Sequence, residues 1–387
     1  MKLGEFAQFY KRTNFKLSKF IPVNEPNLSG NEKKYLQECI DTGWISSEGP
    51  FIEKMESGMS SVCNRKYAFA VSNGSAALEL AVQGIGIGKG DEVIMPTFTI
   101  ISCALAVVRA GAVPVYVDAD PHTWNMKVED IEPLITEHTK AIMAVHIYGI
   151  TVDMDPLLDI AERYDLKVIE DAAEVIGQTY KGQPCGSFGD ISTLSFYPNK
   201  HITTGEGGMV LVNDDELAER CKSLRNLCFG KTDRFVHQEL GWNFRMSNLQ
   251  AAVGVAQLER LTQTLERKRE IGRMYHKHLE GNESFILPIT QTDYCKNIYW
   301  VFGIISKDES RDAKWWMNKL AEQGIGTRPF FYPMHLQPAL QIGSQSENNF
   351  PNSEKITKYG LYLPSGLNLD ESVVEEISKS IKQIMFK

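Results

Sequence analysis

Between residues 67 and 213, short apolar, β-branched runs alternate with amphipathic stretches, and this alternation limits the possible folds more than any other feature of the 387 residues. The runs YAFAV, DEVIM, VPVYVD, KAIMAVH, LKVIED, ISTLSF and MVLVN are apolar at consecutive positions, as strands buried on both faces are. Between them SAALELAVQ, IISCALAVVRA, VEDIEPLI and MDPLLDIAERY have helical spacing. Strands alternating with helices make βαβ units, so an α/β fold with a mostly parallel sheet is expected. Beyond it, Met246 to Leu279 reads as one long helical run, YWVFGII as a strand, residues 315–323 as a helix and ESVVEEISKSIKQIM as a closing helix. The expected organisation is an N-terminal extension at 1–20, a large α/β domain at 21–265 and a smaller α+β domain at 266–387.

In open α/β sheets ligands sit at the carboxyl ends of the strands, and three such ends here carry polar residues. After YAFAV, Gly74 and Ser75 open a helix; its backbone N–H groups, a small hydroxyl and the lack of bulk suit a phosphate. The same stretch also reads as an ordinary N-cap turn. At the end of KVIED stands Asp171, a carboxylate that needs either a cationic partner or a turn to cap. After ISTLSF comes Lys200, before the glycine-rich TTGEGG. Most lysines are solvated surface groups, but one that is partly desolvated can act as a neutral amine nucleophile. Taken together, a phosphate cradle, an acid at a strand end and a lysine fit one cofactor, pyridoxal 5'-phosphate, which needs a Schiff-base lysine and an acid facing its ring nitrogen. The glycines of GIGIGKG (84–90) are not a dinucleotide fingerprint: they follow a helix and precede a strand, the reverse of what that motif requires.

Composition narrows the partners. A net charge of −8 leaves no basic excess to neutralise phosphates, so nucleic acid is not an expected partner. The seven cysteines are scattered, with no C-x-x-C pair, which excludes the usual zinc spacings and fits a reducing compartment; no metal is expected. No uncharged apolar run is long enough to span a bilayer, and the first twenty residues lack the core of a secretory signal. A cytoplasmic protein without a membrane partner is the expectation.

TGWISSEGPFIEKME, VSNGSAAL, GDEVIMPTFT, VIEDAAEVIG, FGDISTLSFYPNKHITTGEGG and GWNFRMSNLQAAVGVAQLERL together resemble the DegT/DnrJ/EryC1/StrS sugar aminotransferases from about Ile21 to the C-terminus. The resemblance implies the type I fold of pyridoxal-phosphate transferases, with a mostly parallel seven-stranded sheet and a smaller α+β domain. It implies that Lys200 forms the Schiff base, that Asp171 pairs with the ring nitrogen and that Glu174 sits near the phenolic oxygen. Gly74, Ser75 and Ser195 would hold the phosphate. Asn243 stands where the family sends an asparagine to the phosphate of the neighbouring subunit, which implies a homodimer with shared active sites. The implied reaction moves an amino group from glutamate to a nucleotide-linked keto-sugar. The ends of the chain are similar to the branch that aminates C4 of GDP-4-keto-6-deoxymannose. UDP- or dTDP-linked substrates, amination at C3, and a pyridoxamine-dependent 3-dehydration are alternatives, as is a non-catalytic regulator with this fold. In the dehydratases a histidine replaces the Schiff-base lysine. His335 and Arg245 are candidate substrate contacts; a loop histidine packed on Pro333 and Pro338, and an exposed helix-start arginine, explain them equally. Ile100 occupies a cofactor-contact position where many relatives have an aromatic residue. No role follows for residues 1–20 or for His201.

Overall fold

A computed structural model of the chain describes residues 20–230, 235–340 and 349–385; the expected extension at 1–20 lies, but for its last residue, outside them. The larger sheet contains β1 (Tyr67–Val71), β2 (Glu92–Pro96), β3 (Val113–Val117), β4 (Thr139–Val145) and β5 (Lys167–Asp171). A two-residue hairpin, β6 (Thr179–Tyr180) and β7 (Gln183–Pro184), precedes its last strands, β8 (Ile191–Ser195) and β9 (Gly208–Val212). Each of the seven sheet strands coincides with one of the seven apolar runs. Their order is β1-β9-β8-β5-β4-β2-β3; only β9 runs against its neighbours, so the sheet is mostly parallel. Helices at Gly74–Gly84, Ile101–Arg109 and Met154–Arg163 connect the strands, and the first two pack on each other. The glycines at 84–90 end the first helix and turn the chain, with Gly86 and Gly90 in the left-handed region.

This order brings three strand ends together. Gly208, which opens β9, lies opposite both Val71 of β1 and Ser195 of β8, and Asp171 of β5 lies opposite Thr193. The backbones there pack too closely for a larger residue. A Cβ on Gly208 would lie 2.5 Å from the Asn73 carbonyl oxygen, and one on Gly74 would lie 2.8 Å from Ser195 Cβ.

The second sheet is antiparallel, with β10 (Phe285–Ile286), β11 (Phe302–Ser306), β12 (Arg328–Pro329) and β13 (Gly360–Leu363) in the order β10-β11-β13-β12. Helices Leu261–Leu279, Ala313–Ala321 and Glu371–Met385 pack on it around Tyr275, Phe302, Trp316, Leu363 and Ile377. The Leu261–Leu279 helix joins the two halves: Leu261 and Leu265 pack in the large-domain core, and Ile271, Tyr275 and Leu279 in the small one. The expected boundary after residue 265 therefore falls inside a helix.

Three local expectations differ from the structure. VEDIEPLI forms two short 3-10 turns, Val128–Asp130 and Glu132–Leu134, because Pro133 has no N–H for an α ladder. The run from Met246 to Leu279 is two helices, Asn248–Leu258 and Leu261–Leu279, the first started by a Ser247/Gln250 capping box. YWVFGII becomes a strand only from Phe302, because Tyr299 is in the left-handed region at φ 47°. Among the described residues no helix is long and apolar enough to cross a membrane.

Candidate active site

The strand ends open into a cleft of about 1200 Å³ whose walls include Gly74, Ser75, Ile100, Asp171, Glu174, Ser195 and Lys200. Seven residues proposed from sequence thus meet in one cavity.

At one end lies the start of the Gly74–Gly84 helix. Asn73 caps it, its side-chain oxygen accepting from the Ala76 N–H at 2.8 Å, and the first-turn N–H groups have no carbonyl within the helix. Ser75 Oγ lies 2.7 Å from Ser102 Oγ, and Ser195 is pressed against Gly74. Helix-end N–H groups, several hydroxyls and a bare glycine form an anion site. Ser102 escaped sequence reasoning, since nothing in TIISCA shows that its helix starts beside the other one.

In the middle is Asp171, 4% exposed. Its carboxylate accepts from the Ala173 N–H at 3.1 Å and from the Cys103 thiol at 3.4 Å, and it forms no ion pair among the described residues. Burial raises its pKa above the usual carboxylate range. A buried carboxylate in this state is stabilised by a protonated ring nitrogen brought to it.

At the other end, Lys200 sits on a turn closed by its N–H donating to the Tyr197 carbonyl at 2.9 Å. Its Nζ is 3.4 Å from Glu174 Oε1 and 3.9 Å from the centre of the Trp300 ring, with the side chain 11% exposed. Glu174 is buried and accepts from the Tyr148 N–H at 2.9 Å; burial pushes its carboxyl up to about 7. The arrangement fits pyridoxal phosphate: an anion cradle, a buried acid that forms no ion pair among the described residues and a largely buried amine occupy one cleft large enough for it. Ile100, 42% exposed at the start of the Ile101–Arg109 helix, presents an aliphatic side chain to the same space.

The other candidates lie elsewhere. Trp242 and Phe244 line the cleft with stacked rings 5.4 Å apart, whereas Asn243 between them is exposed and accepts from Arg245 Nε at 2.8 Å. Arg245 borders a separate depression with Glu48 and Arg225. His335 does not line the cleft; its Nδ1 is 2.7 Å from Thr97 Oγ1, its Nε2 is 3.3 Å from Glu354, and its ring packs on Phe350. His201 is buried beside the Ile298 backbone, where burial and the cations Lys268 and Lys200 keep it neutral. The cluster His146–Glu170–Cys185 has metal-ligand residue types, but the lone pairs of its histidine and glutamate are committed. Glu170 accepts from the Gly186 and Phe188 N–H groups, Ser192 Oγ and His146, and His146 Nδ1 accepts from the Val152 N–H.

Comparison with known proteins gives a consistent result. The profile of the DegT/DnrJ/EryC1/StrS aminotransferase family matches residues 26–382. The GDP-perosamine synthase of Escherichia coli O157:H7 is 42% identical over 367 residues, which is 94% of this chain and 98% of that protein. The GDP-perosamine synthase of Vibrio cholerae is 41% identical over 368 residues, again 94% and 98% of the two chains. Among solved structures, Streptomyces venezuelae DesV in complex with a ketimine intermediate superposes with a TM-score of 0.87 at 30% identity, covering 96% of this chain and all of that one.

Proposed function

The chain belongs to the DegT/DnrJ/EryC1/StrS aminotransferase family, and from that premise we propose that it moves an amino group from glutamate to C4 of GDP-4-keto-6-deoxymannose, giving GDP-perosamine. That it is a pyridoxal-phosphate-dependent sugar aminotransferase follows from the family. The observation that carries the reaction type is Lys200 Nζ, largely buried and 3.4 Å from Glu174, in the same cleft as the buried Asp171. The near-full-length similarity to GDP-perosamine synthases supports the substrate.

When bound, pyridoxal phosphate supplies a ring that accepts the electron pair left at the donor's Cα once its proton is removed. Gly74, Ser75, Ser102 and Ser195 would hold its phosphate, and Asp171 would hold the proton on its ring nitrogen. Lys200 would hold it covalently through Nζ. When neutral, Lys200 Nζ would be the base that takes the donor's Cα proton and, as an ammonium, the acid that gives it back. Glu174 keeps a carboxylate beside Nζ while it carries the charge. Lys200 would move protons in the opposite sense when the keto-sugar is the amino acceptor.

A lysine at position 200, where the dehydratases have histidine, favours transamination over 3-dehydration. Loaded protein given glutamate and no sugar is expected to release about one 2-oxoglutarate per site and then stop. Failure to release any would contradict the amino-donor assignment.

The active site is proposed to be shared between two copies. Asn243 is exposed and points out of its own cleft while both neighbours line it, as a residue serving another chain's phosphate site would. An active protein that sediments as a single chain would contradict this. Seven free, buried cysteines support a reducing compartment, consistent with the cytoplasm.

A further inference from the structure

Lys268 lies in the middle of the helix that joins the two halves and is 2% exposed. Its ammonium donates to the Trp300 carbonyl at 2.9 Å and to the Ser365 carbonyl at 2.6 Å. Burial alone pushes its pKa down to about 7. An ammonium taken out of water without a carboxylate is costly. Two hydrogen bonds are what the fold gains from it. They tie the joining helix to the segment leading into β11 and to Ser365, two residues beyond β13.

The segment leading into β11 carries Trp300 and is conformationally unfavourable. Tyr299 holds a left-handed backbone that a bulky aromatic residue rarely adopts. It is accommodated by Gly272, where a Cβ would lie 2.4 Å from the Tyr299 ring. Lys268 and Gly272 are four residues apart, one turn along the same helix face. That face therefore fixes both consecutive residues: Gly272 makes room for the Tyr299 ring and Lys268 pins the Trp300 carbonyl. From there Trp300 reaches Lys200 in two ways. Its indole N–H donates to the carbonyl of Asn199 at 2.7 Å, and its ring face covers Lys200 Nζ at 3.9 Å.

We propose that Lys268 is a positioning residue for the amine chemistry: by pinning the Trp300 carbonyl it sets the indole against Lys200 and keeps Nζ oriented toward an incoming carbonyl carbon. The inference rests on Lys200 being the nucleophile. The indole also limits water around Nζ, so the brace acts on both position and environment.

The test uses the cofactor-free full-length protein and pyridine-4-carboxaldehyde. The neutral Lys200 amine adds to the aldehyde carbon and loses water to give an imine. Borohydride then donates hydride to that imine carbon, leaving a stable secondary amine that peptide mass analysis locates. Lys268→Met and Trp300→Leu are each expected to slow coupling at Lys200 by about ten- to a hundredfold. The double variant is expected to be no slower than the slower single one, because both changes break the same linkage. Lys268→Met is expected to fold with a somewhat lowered melting temperature, because it leaves the Trp300 and Ser365 carbonyls without their donor. Lys268→Leu, which likewise donates no hydrogen bond, replaces it should it fail to fold. Unchanged coupling in a folded Lys268 variant, or a double variant showing the product of the two single effects, would overturn the proposal. Wild-type protein that does not couple at Lys200 would instead overturn the assignment of the nucleophile, and the brace with it.

Discussion

Lys200→Ala is expected to lose the visible absorbance of covalently bound cofactor and about 10⁴-fold or more in turnover, while remaining folded. Two roles disappear together, the covalent attachment and the proton carrier, and no other amine of the described cleft wall replaces them. Folding should survive for a specific reason. The substitution leaves Glu174 buried without its cation, but burial has already brought that carboxyl up to about 7, so it can take a proton at little cost. Lys200→Arg separates the two explanations of a loss. It keeps a cation beside Glu174 and over the Trp300 ring but supplies no amine able to bond the cofactor, so it should be as inactive as the alanine variant. Substantial activity in the arginine variant would mean that position 200 contributes charge rather than a bond.

The second large effect is expected at Asp171. Asp171→Asn keeps the shape and the contacts to Cys103 and Ala173 but removes the negative charge that would hold the proton on the ring nitrogen. Covalent loading, which depends on Lys200, should persist. Removal of the Cα proton should slow by about 10² to 10⁴-fold, because the ring then accepts electrons less readily. The melting temperature should stay level or rise, since a buried carboxylate with no ion-pair partner is replaced by a neutral amide. Stopped-flow absorbance after mixing with glutamate separates the two steps. Turnover within about twofold of the wild type would show that Asp171 is merely a capping residue.

Residues that are close in sequence to a strand end were legible from the sequence; residues delivered by distant segments were not. Gly74, Ser75, Asp171 and Lys200 each stand at the end of or just after a recognisable apolar strand, Ser195 came from the family resemblance, and the parallel sheet places such ends side by side. Trp300 and Ser102 reach the cleft by other routes. Trp300 sits in a run that reads as uninterrupted strand, and only the packing of Tyr299 on Gly272 bends its backbone into the site. Cys103, which touches Asp171, is simply an apolar helix position in the sequence. His335 shows the converse limit: its residue type suggests chemistry, yet both ring nitrogens are engaged by Thr97 and Glu354 away from the cleft wall. The break between Leu258 and Leu261 was hidden because the apolar spacing of the two helices continues across it.

The substrate is where the account is most directly exposed. Protein loaded with pyridoxal phosphate should be incubated with ¹⁵N-glutamate and, in parallel, with GDP-, UDP- and dTDP-linked 4-keto-6-deoxy sugars, and the products identified by mass and nitrogen position. The expected result is a GDP-linked sugar carrying ¹⁵N at C4, with little product from the other two nucleotides. Turnover of only UDP- or dTDP-linked sugars, or a GDP-linked product that has lost oxygen without gaining nitrogen, would contradict it.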